Sequence, residues 1–270
     1  MTCDPPTWDK TGLMYQAKID QLRVQVYASN EELGRAAARI AAHVLEDAIR
    51  SKGHANLVLA TGNSQLTFLA ALRDLPIDWS SVNIFHMDEY IGLQPHHPAR
   101  FDRFLRKHLL DYITPKAFYP VLPHDVDAPQ ACQDYEALLR RYPIDLCVLG
   151  IGENGHLAFN DPPYADFADP AWVKIVRLDE ASRRQQVGEG HFASLAVVPI
   201  EAVTLTIPAL LVAKRILAVV PENRKAEIVY RCMSESITPA LPASILRRAN
   251  HATLYLDEDS ARIMLEKGLL

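Results

Sequence analysis

Short apolar runs recur along this chain, each separated from the next by a segment of helical periodicity. Leu22 to Tyr27 alternates apolar and polar residues, the period of a half-buried strand. Ala55–Ala60, Val82–Met87 and Ile144–Leu149 are dominated by apolar residues, as strands covered on both faces must be. Val173–Leu178, Val203–Ile207, Ile216–Val220 and Ala252–Leu256 look like further strands. Between them, Ser29-x-x-Glu32 is a capping-box pattern opening an Ala-rich helix that ends near Gly53. Helices are also predicted over Gln65–Leu72, Pro98–Leu110, Pro208–Ala213, Asn223–Met233, Ala243–Ala249 and Glu258–Glu266. This alternation predicts an α/β, doubly wound fold: a mainly parallel, Rossmann-like sheet with helices on both faces. The first twenty residues carry little periodicity and are predicted to be an irregular lead-in, the stretch Asp161–Trp172 a mobile loop, and residues 1–270 one domain.

Composition narrows the function classes. At 270 residues, 49% apolar and 23% charged, the chain can bury a full core, which excludes a disordered segment. The formal charge is −5 and no long Lys/Arg run occurs, so no nucleic-acid partner is expected. No apolar stretch reaches the length that crosses a bilayer, and the N-terminus lacks the features of a signal peptide. Cys3, Cys132, Cys147 and Cys232 are scattered, with no C-x-x-C pair. Reduced thiols in a cytoplasmic enzyme are the expectation.

In a doubly wound sheet the ligand sits beyond the carboxyl ends of the strands, so function is read from the residues following each one. Thr61-Gly62-Asn63-Ser64 leads into a helix; its small residues let backbone N–H groups approach an anion, although a simple capped turn fits as well. It is not a Walker loop. His86-Met87-Asp88-Glu89-Tyr90 sets two adjacent carboxylates at a strand end, where alternation points one toward the pocket and leaves the other to structure. Gly150-x-Gly152-x-x-Gly155-His156 combines glycines that permit close approach with an imidazole able to exchange protons with a substrate oxygen. The expected ribose-binding carboxylate about 20 residues on is absent, which argues against a dinucleotide site. Lys225, in the first turn of a predicted helix, opposes the helix dipole; a bound phosphate would compensate, and a surface Lys is the plain alternative. No H-E-x-x-H, cysteine cluster or G-x-S-x-G elbow is present, so no metal, no cofactor and no ordinary serine hydrolase is expected.

Taken together these motifs resemble the glucosamine-6-phosphate deaminase/isomerase family, which shares a fold with 6-phosphogluconolactonase. The resemblance runs from about Val24 to Leu265. Met-Asp-Glu-Tyr at 87–90 and Gly-His-x-Ala-Phe-Asn at 155–160 are deaminase-like, whereas the lactonases carry Asp-Glu-Arg and Gly-His-x-Ala-Ser. The resemblance implies that Asp88 is the proton-shuttling base, that His156 assists opening of the sugar ring, and that Asp161 orients it where the family usually has Glu. It also assigns Lys225 and the loop Thr61, Gly62, Asn63, Ser64 to phosphate, with Gly155 beside the substrate. Departures accompany it. Asn154 replaces an Asp that partners the ring-opening His, Asn63 replaces a Gly, and only Arg183 or Arg184 stands near the family's second phosphate-binding Arg. Trp172-Val173-Lys174 keeps only the Lys of the allosteric pattern. The implied partner is a small-molecule sugar phosphate, and members of the family include monomers and homo-oligomers. The implied activity is isomerisation and deamination of a 2-amino-2-deoxyhexose 6-phosphate. A lactone hydrolase and a non-catalytic sugar-phosphate sensor stay as alternatives, with the sugar epimer left open.

Overall fold

The computed structural model describes residues 11–162 and 164–270. The chain opens with strands β1 (Leu13–Ile19) and β2 (Leu22–Tyr27), helix α1 (Asn30–Lys52), β3 (Ala55–Leu59), α2 (Leu66–Arg73) and β4 (Val82–His86). Next come β5 (Asp88–Tyr90), α3 (Phe101–Leu105), β6 (Ala117–Tyr119), α4 (Ala128–Arg141) and β7 (Leu146–Leu149). The second half holds β8 (Val173–Arg177), α5 (Glu180–Gly188), β9 (Glu201–Leu205), α6 (Ile207–Leu211), β10 (Arg215–Val220), α7 (Ala226–Ser234), β11 (Ala252–Asp257) and α8 (Glu258–Glu266). Local chemistry sets several boundaries. Ser29 caps α1 by accepting from the Glu32 N–H at 3.3 Å, and Gly53 ends the helix at φ 78 with its N–H on the Ile49 carbonyl at 2.7 Å.

The main sheet has the order β1-β2-β11-β10-β7-β3-β4-β6, parallel throughout except for the β1–β2 hairpin. Strand alternation divides the core in two. In β7, Leu146 and Val148 pack with α1 and α2 on one face; Cys147 and Leu149 pack with α4, α6 and α7 on the other. The strand order reverses between β3 and β7: from β3 the chain runs outward to β4 and β6, then returns to place β7 on the opposite side of β3. That crevice is where such sheets bind ligands.

Three sequence expectations change. The lead-in is not irregular over its second half, because residues 13–19 form edge strand β1; its Met14 and Tyr15 are exposed, so no strong apolar period marked it. The first ten residues lie outside the described ones. The strands read at Val173–Leu178 and Val203–Ile207 do not join the parallel sheet. They pair antiparallel with β5 in a separate sheet of order β5-β9-β8, closed over its own small core of Tyr90, Phe101, Phe159 and Phe192. The helix read over Pro98–Leu110 starts at Phe101 and widens into a π-helical turn over Arg106–Leu110, and that read over Ala243–Ala249 is a 3-10 helix over Pro242–Arg248. Among its described residues, the stretch 161–172 has no regular helix or strand.

Candidate active site

Where β4 ends, the backbone leaves the main sheet at Met87 and at once enters β5 of the small sheet. The junction is pinned by the Leu205 N–H on the Met87 carbonyl at 2.8 Å. Beside it, a cleft of about 590 Å³, open solvent at its mouth included, is walled by the turns after β3, β4, β7 and β10, with α5 closing one side.

Alternation along β5 sends Asp88 and Glu89 in opposite directions. Glu89 is fully buried and accepts from the backbone N–H groups of Phe101 (3.0 Å) and Asp102 (3.1 Å), capping α3, with Arg100 3.5 Å away. Burial pushes its pKa up to about 7 against the pull of Arg100 and those N–H groups. Asp88 lines the cleft, and among the described residues its carboxylate has no hydrogen-bond or ion-pair partner. Burial, and then the neighbouring Glu89, raise its pKa well above the carboxylate range. His86, one residue before the junction, is structural: buried, pushed down to about 4 by burial, it accepts the Val121 N–H on Nε2 at 2.8 Å.

The turn after β7 presents His156. Its ring lies over Gly152, where a Cβ would fall 2.1 Å from the imidazole Cε1, so only glycine admits this pose. Nδ1 faces Asp161 Oδ1 at 3.1 Å and Ser182 Oγ at 2.9 Å. Asp161 accepts nothing but protons: Asn154 Nδ2 donates to Oδ1 at 3.0 Å, the Asp179 N–H donates to Oδ2 at 3.0 Å, and Ser182 Oγ lies in short contact with Oδ1. Burial opposes its ionisation, yet the bonds from His156, Asn154 and Ser182 prevail and bring its pKa down to about 2. A carboxylate facing Nδ1 fixes the proton on that nitrogen, which leaves Nε2 for the cleft. Behind the turn, Asn160 is buried and donates to the Leu157 and Leu205 carbonyls, while the Phe159 N–H bonds Thr204 Oγ1; these clamp the turn to the small sheet.

The opposite end of the cleft is built by two turns of one design. After β3, Gly62 at φ 99 precedes a 3-10 turn over Asn63–Gln65 and then α2; after β10, Glu222 at φ 84 precedes a 3-10 turn over Asn223–Lys225 and then α7. The first turn lines the cleft with Thr61, Gly62, Asn63 and Ser64, and the second brings Lys225 to it. Buried Gln65 donates from Nε2 to Ser64 Oγ (3.0 Å) and to the Val219 carbonyl (3.1 Å). Ser64 is thus the acceptor in that bond, and its own O–H is left to donate into the cleft. Lys225 is 2% exposed and, among the described residues, has no acceptor or carboxylate within bonding reach. Burial, with Arg224 adding to it, lowers its pKa to about 8. Glu189, Glu153 and Glu222 act on Lys225 only from beyond ion-pair contact, and a buried cation with no carboxylate in contact favours a bound anion.

Of the residues singled out from the sequence, the structure brings Thr61, Gly62, Asn63, Ser64, Asp88, His156 and Lys225 to one cleft. Asp161 and Asn154 stand behind His156, and the Asn154 side chain touches the His156 backbone N–H (3.1 Å) rather than its ring. Gly155 and Arg184, also singled out from the sequence, are not among the residues lining the cleft. Gly155, at φ 88, packs toward Leu241 and Ile228 away from the cleft, and serves the turn. Arg184 is exposed and paired with Glu180, and it lines an open hollow beside the cleft together with Asn63, Gln185 and Glu189. Sequence reading overlooked Ser182, Gln185, Gln186 and Glu189, and yet their i, i+3, i+4, i+7 spacing was a signal: a polar stripe on one helical face, which here lines or backs the cleft. Glu189 is held as an anion, its pKa at about 2 because bonds from His191, Arg224 and Gln185 outweigh burial. Among the described residues no set of three His, Cys, Asp or Glu side chains converges as metal ligands, and no helix is long and apolar enough to cross a membrane.

Known proteins resemble this chain in sequence and in fold. The family model for glucosamine-6-phosphate isomerases/6-phosphogluconolactonase matches residues 28–255. A glucosamine-6-phosphate deaminase of Exiguobacterium sibiricum is 34% identical over 83% of this chain and 86% of its own. That of Bacillus cytotoxicus is 32% identical over 91% and 90%. Among solved structures, a monomeric glucosamine-6-phosphate deaminase superposes with a TM-score of 0.82 at 29% identity, covering 89% of this chain and 99% of that one. A 6-phosphogluconolactonase from Shewanella baltica shares the fold at a TM-score of 0.72 and 20% identity, covering 89% of this chain and 100% of that one. The chain belongs to the glucosamine-6-phosphate isomerase/6-phosphogluconolactonase family.

Proposed function

We propose that the cleft isomerises and deaminates a 2-amino-2-deoxyhexose 6-phosphate, converting glucosamine 6-phosphate and water to fructose 6-phosphate and ammonia. The observation that carries this reading is the pairing, in one cleft, of an unpartnered buried carboxylate (Asp88) with an unpartnered buried ammonium (Lys225). The names and 31–34% identities of the curated relatives support the deaminase over the lactonase branch.

The phosphate is taken by the turn Thr61–Ser64 and by Lys225, and that remote binding energy holds the reacting carbons against Asp88. His156, protonated on Nδ1, takes the C1 hydroxyl proton on Nε2 and returns it to the ring oxygen as the C1–O5 bond breaks; Asp161 stabilises the transient imidazolium. Asp88 then removes the C2 proton, giving an enolamine, and hands a proton to C1, leaving a ketimine at C2. Water adds to that carbon, ammonia leaves, and the water oxygen becomes the ketone. Burial raises the basicity of Asp88, which favours abstraction from carbon once the group is ionised.

Asp88→Asn should lower turnover by about 10³-fold or more while leaving the melting temperature and sugar-phosphate binding near native. The assay is simultaneous measurement of ammonia and ketose phosphate over a panel of amino-sugar phosphates. Substantial residual turnover by the Asn variant would refute Asp88 as the base.

A further inference from the structure

We infer that Ser182 is a positioning residue for His156, a role that rests on the deaminase reading of the cleft and adds a third member to the group behind the imidazole. Ser182 is 2% exposed and lies on the inner face of α5, the face that carries Gln185 and Gln186 to the cleft wall. A hydroxyl has one proton to give. Asp161, ionised and acceptor-only, receives it through the short Ser182–Asp161 contact. The oxygen lone pairs then face His156 Nδ1 at 2.9 Å, closer than Asp161 at 3.1 Å, and a weaker approach comes from Asn154 Nδ2 at 3.5 Å.

The Nδ1 proton is therefore shared between a neutral hydroxyl and the carboxylate to which that hydroxyl is bonded. Asp161 carries the one charge in this group, since Asn154 is an amide. Ser182 passes part of that negative potential to the ring and fixes the ring's rotation from a second direction. It also ties the ring to α5, so the helix that walls the cleft and the imidazole that works in it are held in one frame.

The test compares the native protein with S182T and S182A, and with S182C should the alanine variant not fold. Loss of the hydroxyl is expected to lower kcat by about tenfold with KM unchanged, because support behind a working imidazole acts on the reaction and not on the phosphate end. Threonine, which keeps the hydroxyl, should restore most of that loss. Binding of the acyclic 2-amino-2-deoxyglucitol 6-phosphate, which needs no ring opening, should be equal in all variants. A purely structural role would instead depress folded yield and binding alike. In ¹⁵N-labelled protein the His156 Nδ1–H resonance should move in S182A and stay near native in S182T. An alanine variant turning over within twofold of native, or an unchanged Nδ1–H resonance, overturns the proposal. If the native protein deaminates no amino-sugar phosphate, the functional reading falls, while the resonance still decides the role of Ser182.

Discussion

Lys225 and Asn154 show how much a single side chain's surroundings decide. Lys225 pays for its burial with a pKa of about 8, so the cation that would hold a phosphate is lost as pH rises through that value. KM for a sugar phosphate should accordingly climb above about pH 8, approaching tenfold per pH unit, and Lys225→Arg should flatten the climb because guanidinium stays charged. Steady-state kinetics across that range checks the sign. Asn154 looks in sequence like the loss of a charge beside His156, but its amide donates to Asp161 and thereby keeps that carboxylate ionised. Asn154→Asp would set a second carboxylate within about 3 Å of the first, and like charges that close force one to hold a proton. Turnover at neutral pH is expected to fall about tenfold and to recover toward lower pH; a variant faster than native at neutral pH would contradict this account.

Elements matter here mainly through their ends. Helix α3 starts on the Glu89 carboxylate, which means that the residue beside the proposed base is a cap whose loss strands several buried N–H groups. Glu89→Ala should cost about 3 kcal/mol, seen as a melting temperature lower by roughly 5–10 °C, while Asp88→Asn costs little. The two turns that precede α2 and α7 illustrate what sequence can and cannot reveal about an element. Glycine at position 62 advertises a positive φ, but Glu222 adopts the same geometry with no such advertisement; its N–H is held by both oxygens of Asp257 from the next strand. Helix α5 carries no apolar period in sequence because its composition is polar, its buried face being Ser182 and Gln186 in place of aliphatic residues. A polar face is buried only where a cleft needs it, and apolar periodicity does not mark such a face.

At the scale of the molecule, the cleft joins turns from opposite sides of the β3–β7 reversal to a second sheet, so a ligand bound there clasps both sheets. Saturation at about 100 times Kd should stabilise the fold by about 2.7 kcal/mol, a rise in melting temperature of roughly 5–10 °C, and Lys225→Ala should remove most of it. Calorimetry with and without a hexosamine 6-phosphate measures this. The mainly parallel sheet and the positions of Asp88, His156 and Lys225 after strand ends were legible in the sequence itself, because burial on both faces and the turn chemistry after each strand are local properties; the order of the strands in the sheet was not. Tertiary structure alone decided that β8 and β9 pair with β5 in their own sheet, since their apolar pattern suits either partner. It decided too which of two adjacent carboxylates faces the cleft, and which hydroxyl, 26 residues along the chain, meets the imidazole. Those outcomes depend on contacts between distant segments, and no local period records them.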